Sequence, residues 1–112
     1  MTDRYVELHA ASAFSFLEGA SQPENLVERA VAFEMPAMAL LDRNGVHGSA
    51  RFHTSAKRNG IRAHIGAEIG VSSFGSRLVP PAWLPHQHKS EPARVALLCE
   101  SRAGYQNLCR LI

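Results

Sequence analysis

Three residues of this 112-residue chain could do chemistry together: His9, Asp42 and Glu68. One imidazole and two carboxylates form a donor set suited to Zn, Mn or Fe. Such ions activate water for phosphoester hydrolysis. Each residue also has a plainer reading. His9 could simply hydrogen-bond in a strand-end turn. Asp42 precedes Arg43-Asn44-Gly45, where an aspartate shapes turns and caps helices through local backbone bonds. Glu68 lies between Ala67 and Ile69, and a glutamate in an apolar strand needs a metal or an ion-pair partner such as arginine.

The other candidates are weaker. His47 opens a helix and could face the same rim as His9. His53 and His64 read as surface or half-buried positions. His86 and His88 have the spacing of a chelating pair on a strand, but they lie in a proline-rich loop, where solvation is the simpler reading. No Walker loop, GxGxxG, GxSxG or HExxH occurs. Arg51, Lys57, Arg58 and Arg62 read as a solvated basic face.

The elements must bring the first three residues together. RYVELH, residues 4 to 9, alternates and reads as a strand ending on His9. SQPE then gives a capping box, with Ser21 as N-cap, Pro23 in the first turn and Glu24 at the third position. Leu26, Val27, Ala30 and Val31 fall on one helical face, and Met35-Pro36 closes that helix. AMALLD, residues 37 to 42, is an apolar run without alternation, as in a buried parallel strand. It ends on Asp42 and the turn RNG. Residues 46 to 58 follow a helical pattern, with Val46, Ala50, Phe52, His53 and Ala56 as inner positions and Gly60 as the C′ residue. IRAHIGAEIGV is a third strand ending near Glu68 or Val71. Residues 72 to 92 hold Pro80, Pro81, Pro85 and Pro92 and read as a long loop or hairpin excursion. ARVALLCE is a fourth strand, and a helix starts at 102.

This order predicts an α/β fold with parallel strands alternating with helices and right-handed crossovers. The carboxyl ends of parallel strands form the rim where ligands bind. His9, Asp42 and Glu68 each fall at or near that rim.

Bulk properties narrow the class. Hydrophobic residues make up 46% and charged residues 20%, a globular balance. A net charge of +2 is compatible with nucleic acid without arguing for it. Cys99 and Cys109 sit in apolar stretches without CxxC spacing, which predicts buried free thiols in a reducing compartment. No run reaches the length of a membrane span, and MTDRYVELHA does not read as a signal peptide. The expectation is a cytoplasmic protein without membrane partners. GYQNLCRLI stops inside an amphipathic pattern, which predicts the front part of a longer protein.

Four blocks in order, YVELHAASAFSFLEGAS, LLDRNGVHGSARFH, GIRAHIGAEI and LLCESRAGYQNLCRLI, resemble the N-terminal PHP (polymerase and histidinol phosphatase) domain of bacterial DNA polymerase III alpha subunits, above all that of the error-prone, DnaE-type paralogue. The resemblance spans residues 1–112 apart from the Pro-rich loop insertion at 72–92. It implies the first part of a distorted (β/α)7 barrel, an incomplete barrel in this chain. It also implies a parent DNA-directed DNA polymerase, a nucleotidyltransferase whose catalytic palm lies downstream and uses Mg²⁺. The parent would act in damage-induced mutagenesis and translesion synthesis.

The same resemblance implies that His9, Asp42 and Glu68 align with metal-ligand positions. The family's second histidine after the first strand is Ala11 here, and its Asp-His after the second strand is Asp42-Arg43. An alanine donates no lone pair, and a guanidinium repels a divalent ion. The guanidinium of Arg43 could instead pair with Asp42 or Glu68. The expectation is a vestigial site, an inactive segment and a scaffold role. Its partners would be the rest of the polymerase chain, DNA through the parent, a sliding clamp and accessory mutagenesis proteins. Zn or Mn would bind only if the site is intact. The alternatives are a stand-alone PHP-type metal-dependent phosphoesterase and a non-catalytic binding module.

Overall fold

The computed structural model describes residues 4–16, 18–71 and 93–112. Seven elements follow one another: β1 (Glu7–Ala10), α1 (Pro23–Ala32), β2 (Ala37–Arg43), α2 (Ser49–Arg58), β3 (Arg62–Val71), β4 (Ala93–Leu98) and α3 (Arg102–Leu111). The strands form one sheet in the order β1-β2-β3-β4. β1 and β3 each pair parallel with β2. β4 pairs antiparallel with β3, from Val71↔Ala93 to Gly66↔Leu98. The expectation of parallel strands throughout therefore fails at β4. An antiparallel neighbour exchanges its ladder bonds with β3 without the long crossover that a parallel pair requires, and the residues that join the two strands, 72–92, lie outside the described residues.

Register assigns every side chain to a face. Leu40 stands opposite Ile65, and Met38 opposite Ala63. These even-numbered residues of β2 pack with Ala10, Val27, Ala30, Phe52, Ala56 and Ile61 in the core under α1 and α2. Phe52 is fully buried, which contributes about 2–3 kcal/mol from the phenyl group leaving water. The odd-numbered residues, Ala39, Leu41 and Arg43, point to the other face of the sheet. Arg43 stands opposite Glu68, and Glu68 opposite Ala96 of β4.

Helix ends differ in detail from the sequence reading. Gln22, not Ser21, is the N-cap of α1, and its side chain makes no capping bond. The Ser21 carbonyl instead accepts from Ala13 N–H at 2.7 Å, which closes the loop after β1. α1 ends at Ala32, short of Met35-Pro36, and Glu34 takes a φ of 57°. Val31 is exposed although the periodicity predicts it inside. α2 begins at Ser49, so Val46 precedes it, and Ala50 and His53 face outward. Gly60 follows α2 with φ +72°, the left-handed C′ conformation its position predicts. Cys99 is half-buried and Cys109 exposed, so the two free thiols are not both core residues.

Candidate functional site

Two of the three candidates meet. The His9 imidazole Nε2 lies 2.5 Å from Oε2 of Glu68. A carboxylate only accepts, so Nε2 carries the proton. β1 and β3 flank β2, so the two side chains bridge two strand spacings, about 9.5 Å, over β2. β1 helps by bulging: Glu7 opposes Met38 while Ala10 opposes Leu40, three steps against two. A bulge re-aims the side chain beside it. Glu7 fastens the turn of chain there, accepting from His9 N–H at 2.9 Å and from the Tyr5 hydroxyl at 2.7 Å. Hydrogen bonding to the His9 imidazole, then to Arg94, holds the Glu68 carboxyl below its ordinary pKa, against an opposing push from partial burial.

Asp42 does not join them. It stands opposite Ala67, on the face of the sheet that the helices cover, and it is 2% exposed. Its Oδ1 accepts from Ser12 N–H at 2.7 Å and from the Ser15 hydroxyl at 2.8 Å. Its Oδ2 accepts from the Ser12 hydroxyl at 2.8 Å. The Ser15 oxygen in turn accepts from Arg43 N–H at 2.9 Å. Asp42 thus pins the loop between β1 and α1 to the end of β2. The aspartate does shape a turn, but the turn belongs to residues 12–15, about 30 positions away in sequence, and not to the following RNG. It caps no helix: the N-cap of α2 is Gly48.

Arg43 does lie on the rim face, but it pairs with neither Asp42 nor Glu68. Its guanidinium donates to Glu18 Oε1 at 2.5 Å. The cation beside Glu68 is Arg94 of β4, at 3.3 Å from Oε1, and Arg94 also reaches Glu18 Oε1 at 2.9 Å. Glu18 and Arg94 are the rim residues that sequence reasoning missed. A signal was present: Arg94 is the lone charge in the apolar strand ARVALL, on the same face as Ala96, which is Glu68's partner.

The turn after β2 is fixed from both sides. Asn44 takes a φ of 52°, a left-handed conformation that asparagine tolerates. Its N–H donates to the Glu68 carbonyl at 2.8 Å, and its side-chain oxygen accepts from Gly70 N–H at 2.9 Å. His47 packs against the Phe14 ring, with centroids 6.3 Å apart. His53 and His64 are exposed and line a groove of about 630 Å³ between α2, β3 and the start of α3. His86 and His88 lie outside the described residues, as does the loop insertion at 72–92. Among the described residues no three His, Cys, Asp or Glu side chains cluster so as to hold a metal ion.

Architecture and rim together define the front of a barrel-type α/β domain: a mixed four-stranded sheet, α1 and α2 packed on one face, and His9, Arg43, Glu68 and Arg94 gathered on the other. The family model described as PHP domain matches residues 7–112, and the chain belongs to that family. The error-prone DNA polymerase of Anaeromyxobacter sp. (strain K) is 46% identical over 109 residues, which cover 97% of this chain and 8% of the relative. That of Mycolicibacterium paratuberculosis is 38% identical over 106 residues, 95% of this chain and 9% of the relative. That of Corynebacterium jeikeium is 38% identical over 112 residues, 100% of this chain and 8% of the relative. The chain thus spans less than a tenth of the length of these relatives.

Two solved structures share the fold. An amidohydrolase from Chromobacterium violaceum, with bound sulfate and no metal, aligns at a TM-score of 0.63 and 23% identity over 94% of this chain and 32% of its own. A putative metal-dependent phosphoesterase from Bifidobacterium adolescentis aligns at 0.57 and 23% identity over 62% of this chain and 24% of its own. No helix among the described residues is long and apolar enough to cross a membrane.

Proposed function

We propose that this chain is the front part of the PHP region of an error-prone DNA-directed DNA polymerase, and that it serves the polymerase as scaffold. The observation that carries this reading is sequence identity of 38–46% along nearly all of the chain with relatives so named. Primer extension with deoxynucleoside triphosphates and Mg²⁺, across lesions included, belongs to a palm encoded downstream. Damage-induced mutagenesis in the cytoplasm is the setting, with DNA, a sliding clamp and accessory mutagenesis proteins as partners of the whole polymerase. Sequencing the reading frame beyond Ile112 and assaying its full product for primer extension tests this. A frame without a polymerase palm would refute it.

In this reading the rim of the domain is a degenerate metal site and the segment is catalytically inert. The described residues of this rim do not fit a divalent ion. His9 and Glu68 supply one imidazole and one carboxylate, already bonded to each other. Asp42 is turned to the opposite face with its oxygens occupied. Ala11 has no donor, and Arg43 is a cation.

A second reading is a stand-alone PHP-type metal-dependent phosphoesterase. The His9–Glu68 contact on the rim favours it, since two donors already converge there. Metal analysis of the purified chain, with turnover of a generic phosphoester, separates the two. Stoichiometric Zn or Mn that disappears in His9→Ala would favour the phosphoesterase.

A further inference from the structure

We propose that Arg94 is the resident cation of this rim, and that its guanidinium bars divalent metal there even where the missing imidazoles are restored. The inference deepens the degenerate-site reading and rests on it.

Four charged side chains form one connected set. Glu18 Oε1 accepts from both Arg43, at 2.5 Å, and Arg94, at 2.9 Å. Glu68 gives Oε1 to Arg94, at 3.3 Å, and Oε2 to the His9 imidazole, at 2.5 Å. Among the described residues, two guanidiniums thus stand against the two carboxylates of the rim. A divalent ion would have to claim carboxylate oxygens already bonded to these guanidiniums, against their like charge.

The antiparallel course of β4 explains how Arg94 reaches this place. It stands opposite Gly70, two residues from the Glu68–Ala96 pair and on the same face. A planar fork can bond two carboxylates at once, which an ammonium on a flexible stem does less well. Arg94 thereby ties three segments together: β4, the end of β3 and the loop that carries Glu18. An ion entering beside Glu68 would meet a fixed positive charge at close range.

The test uses zinc alone as probe and the 112-residue chain. The Ala11→His/Arg43→His double variant restores both imidazoles and keeps Arg94. It is expected to bind zinc weakly in chelator competition. Adding Arg94→Met is expected to tighten zinc about a hundredfold, the size of a point-charge repulsion removed from a half-exposed site. Adding Arg94→Lys, which keeps the charge, is expected to leave zinc weak. Arg94→Gln carries the same expectation as Arg94→Met and replaces it if far-UV circular dichroism shows the methionine variant unfolded. Equal zinc affinity in the neutral and lysine variants would overturn the proposal, as would tight zinc in the double variant. Stoichiometric zinc in the unaltered chain would instead overturn the degenerate-site reading itself.

Discussion

Replacing Asp42 should damage folding far more than any loss at the rim. Asp42→Ala leaves Ser12 N–H and the Ser12 and Ser15 hydroxyls without the acceptor they now share at 2.7, 2.8 and 2.8 Å. Each hydrogen bond to a charged group is worth about 1.5–3 kcal/mol. The hydroxyls can rotate toward other partners, whereas the Ser12 amide cannot, so the total falls below the simple sum, at about 4 kcal/mol. Asp42→Asn keeps the Oδ1 acceptor for Ser12 N–H and Ser15. It turns Oδ2 into a donor, toward which the Ser12 hydroxyl can rotate. Its cost should be about 1–2 kcal/mol. With a urea slope of about 2 kcal/mol/M, the alanine variant loses about 2 M in midpoint and the asparagine variant about 0.5–1 M. Urea titration followed by far-UV circular dichroism measures both. An alanine variant within about 0.5 M of the parent would refute the claim that Asp42 holds the 12–15 loop. So would an asparagine variant as damaged as the alanine one.

Three further outcomes follow from named contacts. Gly48→Ala places a methyl 3.1 Å from each of Asp42 Oδ2, Phe14 Cδ2 and Pro23 Cγ, so it should destabilise by about 1–2 kcal/mol in the same titration. Phe52→Ala, at a side chain with no exposure in the centre of the core, should cost about 3–5 kcal/mol and lower the melting temperature accordingly. The Arg51 guanidinium, bonded to both oxygens of Glu24, holds that carboxyl below its ordinary value of 4.5. A lowered folded-state pKa contributes stability above 4.5 that disappears as pH falls through the folded value, so Glu24→Gln should flatten the melting temperature against pH below 4.5 and leave acid unfolding elsewhere unchanged. The pair is largely exposed, so the flattening should amount to less than about 1 kcal/mol and shrink in high salt.

Much of the fold was legible because hydrophobic period carries it. The apolar run AMALLD became β2, and Phe52 and Ala56 became core positions of α2. Gly60 marked the end of that helix through its backbone freedom alone. The direction of β4 was not legible. ARVALL reads as a buried strand in either sense, and direction depends on what connects it to β3, which periodicity does not encode. The N-cap of α1 shifted by one residue because the Ser21 carbonyl serves the loop after β1. That is a tertiary bond, and it is invisible to a local capping pattern.

The rim shows a sharper limit. His9, Asp42 and Glu68 share a feature that sequence does reveal, a place near a strand end, but strand ends have two faces. Parity decides between them: Asp42 is even in β2, with Leu40 and Met38 of the core, while Arg43 is odd and level with Glu68. The two-residue period of a strand therefore puts Asp42 beneath the helices and Arg43 at the rim. The serines of the loop after β1 then stand out as the acceptor's partners, since a buried carboxylate must be surrounded by donors. The partner of Arg43 was beyond such reasoning. Glu18 is fixed by the loop that Ser12 and Ser15 anchor to Asp42, so the aspartate sets the rim's charge pattern from the far side of the sheet.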